Sequence, residues 1–333
     1  LGGQWLGGIE GDTRAVTAAE GIAVDNAVVN GPSGLRRRAF LCAVGFPDRQ
    51  GTILRRRLVA TFAGMDIGVG TNDEKGWTMI TGASSGIGLA FAERCAAGGD
   101  RLILTGRDGM RLEALAARLR RDAGAEVRII PWDLALAGSG AGLGAELRKE
   151  DLRVASLINC AGFGAAGEFA GMDPALENEM IQLNIISLVA LTRAALPWML
   201  ERRHGRIMNV ASTAAFEPGP YMAVYYATKA FVLSFSEALG AELRNTGVTV
   251  TAFCPGPVRT GFQKRAGVPD SWQLKYASMD ADKAAAAGLR GMARGKAVVI
   301  PGLGNLMGVW AVRFAPRALV TWGMAILQKP RKR

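Results

Sequence analysis

A short apolar run, Trp77-Thr78-Met79-Ile80, leads straight into Thr81-Gly82-Ala83-Ser84-Ser85-Gly86-Ile87-Gly88 and then into an apolar helix-forming segment reaching about Ala97. Glycines spaced G-x-x-x-G-x-G between a strand end and a helix start constrain the fold more than any other feature of the chain. They let the backbone turn sharply and approach a pyrophosphate, whose charge then rests on the helix N-terminus. Gly98-Gly99 stops the helix. A strand over 101–105, a helix over 108–123 and a strand over 126–132 come next. This β-α-β-α-β succession predicts an α/β fold, a parallel sheet with helices on both faces.

Further along, Asp133-Leu134 closes the third strand, and a fourth over 154–160 ends in Asn159-Cys160-Ala161-Gly162. Asp173-Pro174 opens a long helix to about Arg203 with Asn184 at its middle. A fifth strand over 205–211 ends at Ser212. Thirteen residues later stands Tyr225, with Lys229 four residues beyond it on a helix running to about Arg244. That spacing puts phenol and ammonium on one helix face. A free phenol titrates near about 10, and an adjacent ammonium is expected to lower that value. Tyr225 could then exchange a proton with a carbonyl oxygen as general acid/base, while Ser212 hydrogen-bonds the same oxygen. Tyr226 cannot substitute, because its i+4 position is Ala230. After a sixth strand over 248–254 come Pro255-Gly256-Pro257-Val258-Arg259-Thr260.

The glycine octet, Asn159-x-Ala161-Gly162, Asn184, Ser212, Tyr225-x-x-x-Lys229 and the Pro-Gly turn, in this order, resemble the short-chain dehydrogenase/reductase family over about residues 76–302. The resemblance implies a single-domain, Rossmann-type doubly wound parallel sheet of about seven strands flanked by helices. It implies hydride transfer between a nicotinamide and a ketone, aldehyde, 3-oxoacyl group or the corresponding alcohol. Asn184, Ser212, Tyr225 and Lys229 would be catalytic, with Asn184 binding a proton-relay water and Lys229 gripping the nicotinamide ribose. Gly82, Ser84, Ser85, Gly86, Ile87 and Gly88 would hold the phosphates. Asp133 and Leu134 would flank the adenine, and Asn159, Ala161 and Gly162 would stand beside the cofactor. Pro255, Gly256, Val258 and Thr260 would contact the carboxamide, followed by a substrate lid carrying Phe262, Trp272, Tyr276 and Met279. Cys160 departs from the second Asn that family members often carry. Family members commonly pair into dimers or tetramers through the helices that carry Asn184 and Tyr225.

An acidic side chain at the end of the second strand reads a 2′-hydroxyl, whereas a 2′-phosphate needs a cation. Here the residues are Thr105-Gly106-Arg107-Asp108, with Gly106 where NAD-preferring members place the acid. Arg107 can stack on adenine and pair with phosphate, so NADP(H) is favoured over NAD(H). Asp108 could equally be a helix cap and Arg107 a solvated loop residue. A non-catalytic NADP(H)-binding protein on the same fold is the alternative function.

Composition sets the remaining bounds. The chain has 333 residues, 49% of them hydrophobic, one or two domains' worth at about 150 residues each. The four cysteines form no C-x-x-C pair and the single histidine is His204, so no metal site is expected. Reduced thiols in the cytoplasm are the default. His204 is expected at an exposed helix end. The formal charge of +11 is concentrated: ten Lys or Arg and no acid lie between Ala284 and Arg333 once Lys283 is included, leaving +1 for residues 1–282. Nucleic-acid binding is not indicated, for want of interleaved aromatics or a helix-turn-helix pattern.

Residues 1–64 contain no Met or Lys, carry Arg triplets at 36–38 and 55–57, and show no sustained period. They read as a disordered extension or a misassigned start, with the catalytic domain over 65–302. A twin-arginine export signal around Arg37-Arg38 and a small accessory domain are the competing readings. Residues 303–333 form a basic amphipathic tail interrupted by Pro316. Its helices would pack on the domain or on another subunit, or touch a membrane surface peripherally. No run of 18 consecutive apolar residues suggests a transmembrane helix.

Overall fold

The computed structural model describes residues 23–30, 36–47, 53–60, 76–267 and 278–329. The chain divides into two units, 1–66 and 67–333. In the first, strands β1 (Ala23–Asn30), β2 (Arg36–Pro47) and β3 (Ile53–Ala60) form an antiparallel sheet in that order. The registers pair Ala27 with Ala39 and Leu41 with Val59. Strands thus occupy a segment in which no strand period was found. Both Arg triplets fall inside strands, where three like residues in a row erase the alternation that would betray one.

The second unit holds a seven-stranded parallel sheet. Its strands are β4 (Trp77–Thr81), β5 (Leu102–Gly106), β6 (Val127–Pro131), β7 (Val154–Asn159), β8 (Gly205–Val210), β9 (Val248–Phe253) and the short β10 (Val298–Val299). They lie in the order β10-β9-β8-β7-β4-β5-β6. Every residue of β4 is buried, as expected of a strand covered on both faces. Helices α1 (Gly86–Ala97) and α2 (Gly109–Ala123) cover one face; α3 (Ser139–Lys149), α5 (Leu188–Glu201) and α6 (Ala223–Glu242) cover the other. On the first face Phe91 meets Phe253 edge to face at 5.8 Å. On the second, Leu143 and Leu147 of α3 pack with Leu191 and Met199 of α5 over Leu157 and Ile207. Chain direction across the sheet reverses between β4 and β7, and a crevice opens beyond their carboxyl ends, where ligands bind in such sheets.

The long helix expected over 173–203 is present, started by Asp173, whose side chain accepts from the Ala175 amide. It is not a uniform α-helix: α4 (Pro174–Ile181) and α5 are joined by a π-helical turn, Gln182–Ser187, that carries Asn184. At 28 residues and a mean hydropathy of 1.5 it is long and apolar enough to cross a membrane. It instead lies on the sheet, its apolar stretch interleaved with Asn, Ser and Thr that hydrogen-bond inside the domain.

A short helix α7 (Phe262–Ala266) follows the Pro-Gly turn, then α8 (Ala281–Ala293), capped by Asp280 and tied to α1 by the Arg94–Asp282 ion pair at 2.6 Å. The tail forms α9 (Leu303–Phe314) and α10 (Arg317–Gln328), with Pro316 between them as the sequence indicates. Trp272 and Tyr276 of the expected lid lie outside the described residues.

Candidate active site

The turn after β4 is shaped by glycine. Gly82 and Gly86 have φ of +68° and +60°, a region that side-chain-bearing residues avoid. A Cβ on Gly88 would sit 2.3 Å from the Gly82 carbonyl oxygen. Ser85 precedes helix α1 at its N-cap position without a side-chain capping bond, so the first-turn amides are free to meet an anion. Thr81 ties the end of β4 to the segment after β7: its hydroxyl accepts from the amides of both Cys160 and Ala161 at 2.9 Å. A cavity of about 1250 Å³ runs from this turn to Tyr225. These features fit a nicotinamide dinucleotide. Gly82, Ser84, Ser85, Gly86, Ile87 and Gly88 line the phosphate end. Arg107, Asp133 and Leu134 line the adenine side, and Ala161, Gly162, Pro255, Gly256, Val258 and Thr260 line the middle.

Asn159 does not line the cavity. It is 3% exposed inside the sheet, where its Nδ2 donates to Thr192 Oγ1 at 3.1 Å and Asn209 Oδ1 at 2.9 Å, and Asn209 passes the chain on to Ser236. Its assignment as a cofactor contact is therefore corrected: successive strand residues face opposite ways, and this one faces the helix layer. Asn184 is also withdrawn from the cavity wall. Its Oδ1 accepts from the Phe163 amide at 3.2 Å, while its Nδ2 donates to the Phe163 carbonyl and to Thr228 Oγ1, both at 3.0 Å. The side chain clamps the loop after β7 against α6.

Ser212, Tyr225 and Lys229 converge on the cavity. Ser212 follows β8, and its Oγ accepts from the Ala214 amide at 3.1 Å, which fixes the hydroxyl. Tyr225 and Lys229 share the inner face of α6, both buried. Lys229 Nζ donates to the Val210 carbonyl at 2.8 Å, and a Cβ on Gly162 would come within 3.5 Å of it. Burial pulls the Lys229 ammonium down to about 8, only partly offset by the thiols of Cys160 and Cys254. The Tyr225 phenol is not lowered, as the spacing led one to expect, but pushed up to about 12 by burial, against the opposing hydrogen bond of Ser212. The physical reason is placement. The ammonium lies 5.8 Å from the ring centroid and is engaged by a strand-end carbonyl, so desolvation outweighs charge.

Asp108 caps α2 by accepting from the Arg111 amide at 3.0 Å and pairs with the Arg111 side chain. Arg107 is exposed and makes no ion pair among the described residues. His204 is exposed between α5 and β8 and does not line the cavity. The substrate side was largely missed in the sequence. Phe163, Met222, Tyr226 and Phe262 form an apolar wall there, and Gln263, Arg265, the end of α10 (Ile326, Leu327 and Gln328) and Lys329 just beyond it complete it. Gln328 donates to the Tyr226 hydroxyl, a contact that spans 102 residues and leaves no local trace in the chain.

A family profile described as short chain dehydrogenase matches residues 76–269. The chain is 34% identical over 194 residues to the very-long-chain 3-oxoacyl-CoA reductase of Anas platyrhynchos, taking in 56% of this chain and 61% of that protein. It thus spans about three fifths of the length of such curated relatives. A short-chain dehydrogenase from Sphingobium yanoikuyae, solved in complex with NADPH, is 36% identical. It superposes with a TM-score of 0.65 over 77% of this chain and 97% of that one. The bulky-bulky ketone specific alcohol dehydrogenase of Comamonas testosteroni is 30% identical, with a TM-score of 0.62 over 77% and 95%. Glycine cradle, serine, tyrosine and lysine thus stand on a sheet of matching order in a chain that belongs to the short-chain dehydrogenase/reductase family, NAD(P)-dependent oxidoreductases.

Proposed function

We propose that the protein reduces a bulky apolar ketone or 3-oxoacyl group to the alcohol with NADPH, Tyr225 acting as the proton donor. The observation that carries this reading is the convergence of Ser212, Tyr225 and Lys229 on one end of a cavity whose other end is the glycine cradle. Bound there, the cofactor supplies the hydride. The chain supplies the rest. Ser212 Oγ and the Tyr225 hydroxyl bind the carbonyl oxygen and fix which face meets the nicotinamide. A phenol held near about 12 is fully protonated at neutral pH, which suits donation to an oxygen gaining negative charge. Lys229, still mostly charged at pH 7, stabilises the tyrosinate left behind. The apolar wall of Phe163, Met222 and Phe262 excludes water and favours a hydrophobic substrate.

NADP(H) preference is supported by the uncompensated Arg107 beside Gly106, where an acidic side chain would repel a 2′-phosphate. The Sphingobium relative's NADPH is in keeping with this preference, and the substrates named for the duck and Comamonas proteins are in keeping with the proposed ketone or 3-oxoacyl substrate. The test is cofactor oxidation with a panel of aldehydes, bulky ketones and 3-oxoacyl thioesters, with NADH alongside. Tyr225→Phe should keep NADPH binding and lose turnover by about 10²–10⁴-fold. Equal turnover by the two proteins would refute the mechanism.

A further inference from the structure

Helices α9 and α10 each present two faces. The inner one is half-buried on the domain through Val309 and Val312 of α9 and Val320 and Met324 of α10. The outer one is also apolar: Leu303, Met307, Trp310 and Phe314 follow i, i+4, i+7, i+11 spacing, and Trp322 and Ile326 continue it on α10. These six side chains are 53–79% exposed. A helix on a protein surface needs one apolar stripe; a second one, this long and carrying two tryptophans, marks a surface that something covers.

Charge selects the occupant. No acidic residue occurs from Ala284 to Arg333, while Arg313 and Arg317 stand on this helix pair and Lys329, Arg331, Lys332 and Arg333 follow it. Two copies meeting through this face would bring like charges together with no carboxylate from the tail to neutralise them. An anionic phospholipid surface supplies the missing charge and an apolar phase at once. Trp310, stacked on Phe314 at 5.9 Å, is of the residue type that settles at the headgroup level.

The same face reaches the catalytic cavity. Ile326 and Leu327 line it and are 58% and 51% exposed, so the wall of the cavity continues into the outer stripe. Gln328 fixes that end of α10 to Tyr226, and Asn305 seats α9 against Gly256, where a Cβ would lie 2.3 Å from the Asn305 amide oxygen. We propose that the outer face of α9 and α10 docks on an anionic lipid surface, with the cavity mouth opening along it, so that an apolar carbonyl substrate enters from the lipid phase. The substrate clause rests on the function proposed above; the docking clause does not.

The test is sedimentation of the full chain with vesicles of phosphatidylcholine alone or mixed with phosphatidylglycerol. The wild type should bind the mixed vesicles, and binding should weaken at least about tenfold in Trp310→Glu/Trp322→Glu and in Arg313→Glu/Arg317→Glu. None of these four residues lines the cavity. With a water-soluble ketone all three proteins should turn over alike. With a ketone dissolved in the vesicles the variants should fall behind. Vesicle binding that is absent, or that both pairs of substitutions leave unchanged, overturns the docking. So does a dimer in sedimentation velocity that the tryptophan pair dissolves, since the face would then be a subunit contact. Loss of all turnover in the wild type would refute the proposed function and leave the vesicle result standing.

Discussion

Lys229 and Tyr225 share one buried face of α6, yet the ammonium is spent on the Val210 carbonyl at 2.8 Å and stands 5.8 Å from the phenol ring centroid. Among the described residues nothing anionic compensates it at close range; its neighbours Cys160 and Cys254 are held as neutral thiols by burial. The protein therefore carries a charge that weakens the fold. A folded value of about 8 against 10.5 corresponds to on the order of 3 kcal/mol. The sign is that of a depressed lysine. The penalty is complete below pH 8, shrinks as pH rises from there, and is gone above about 10.5. Lys229→Met should raise the melting temperature by a few degrees at pH 7, net of the lost hydrogen bond, at about 2–4 °C per kcal/mol. The gain should vanish by pH 10.5 while turnover is lost at every pH. Calorimetry across that range checks it.

In the proposed mechanism the same two groups set the pH dependence of turnover. Reduction needs the phenol protonated and the ammonium charged, so kcat should be level from pH 6 to 7.5 and fall as pH passes about 8. Alcohol oxidation needs the phenolate and should still be rising at pH 9. A reduction rate that climbs above pH 8 would contradict both assignments.

Arg107 is the expected reader of the 2′-phosphate. Its replacement by Ser removes one charge-assisted contact, about 1.5–3 kcal/mol, and should raise KM for NADPH by about 10–100-fold while leaving that for NADH within twofold. Steady-state kinetics with both cofactors measure the ratio. An equal loss for the two would make Arg107 a general phosphate contact.

Phe91→Ala tests packing apart from chemistry. The ring is fully buried against Phe253, and Gly288 is packed beside it, at 3.1 Å for a Cβ built there. Removal should cost about 3–5 kcal/mol without changing KM for either substrate, as denaturant melts and kinetics would show.

What was legible beforehand follows physical lines. Elements with a local signature were readable: the glycine turn before α1, the Asp173-Pro174 helix start, the i, i+4 pair on α6 and the Pro316 break. Elements specified by long-range contact were not. Helix α3 has no clear local signature, because Gly140, Gly142 and Gly144 are poor helix formers. They are there so that it can press on its neighbour, where a Cβ on Gly140 would lie 2.7 Å from Ser187 Cα and one on Gly144 2.6 Å from Ala194 Cβ. The π-helical turn at Asn184 and the seat of Gln328 in the substrate wall likewise depend on partners far away in sequence. The raised Tyr225 value was misjudged for the same reason, since burial is a property of the whole fold.

The seating of Asn305 on Gly256 has a consequence for how this protein can change. The turn that lines the cavity and the first helix of the tail meet so closely at Gly256 that a side chain there would have to displace the Asn305 amide. A tail exchanged for that of a relative would thus arrive with the wrong footprint unless the turn were exchanged too. The two segments, 49 residues apart along the chain, would have to change together.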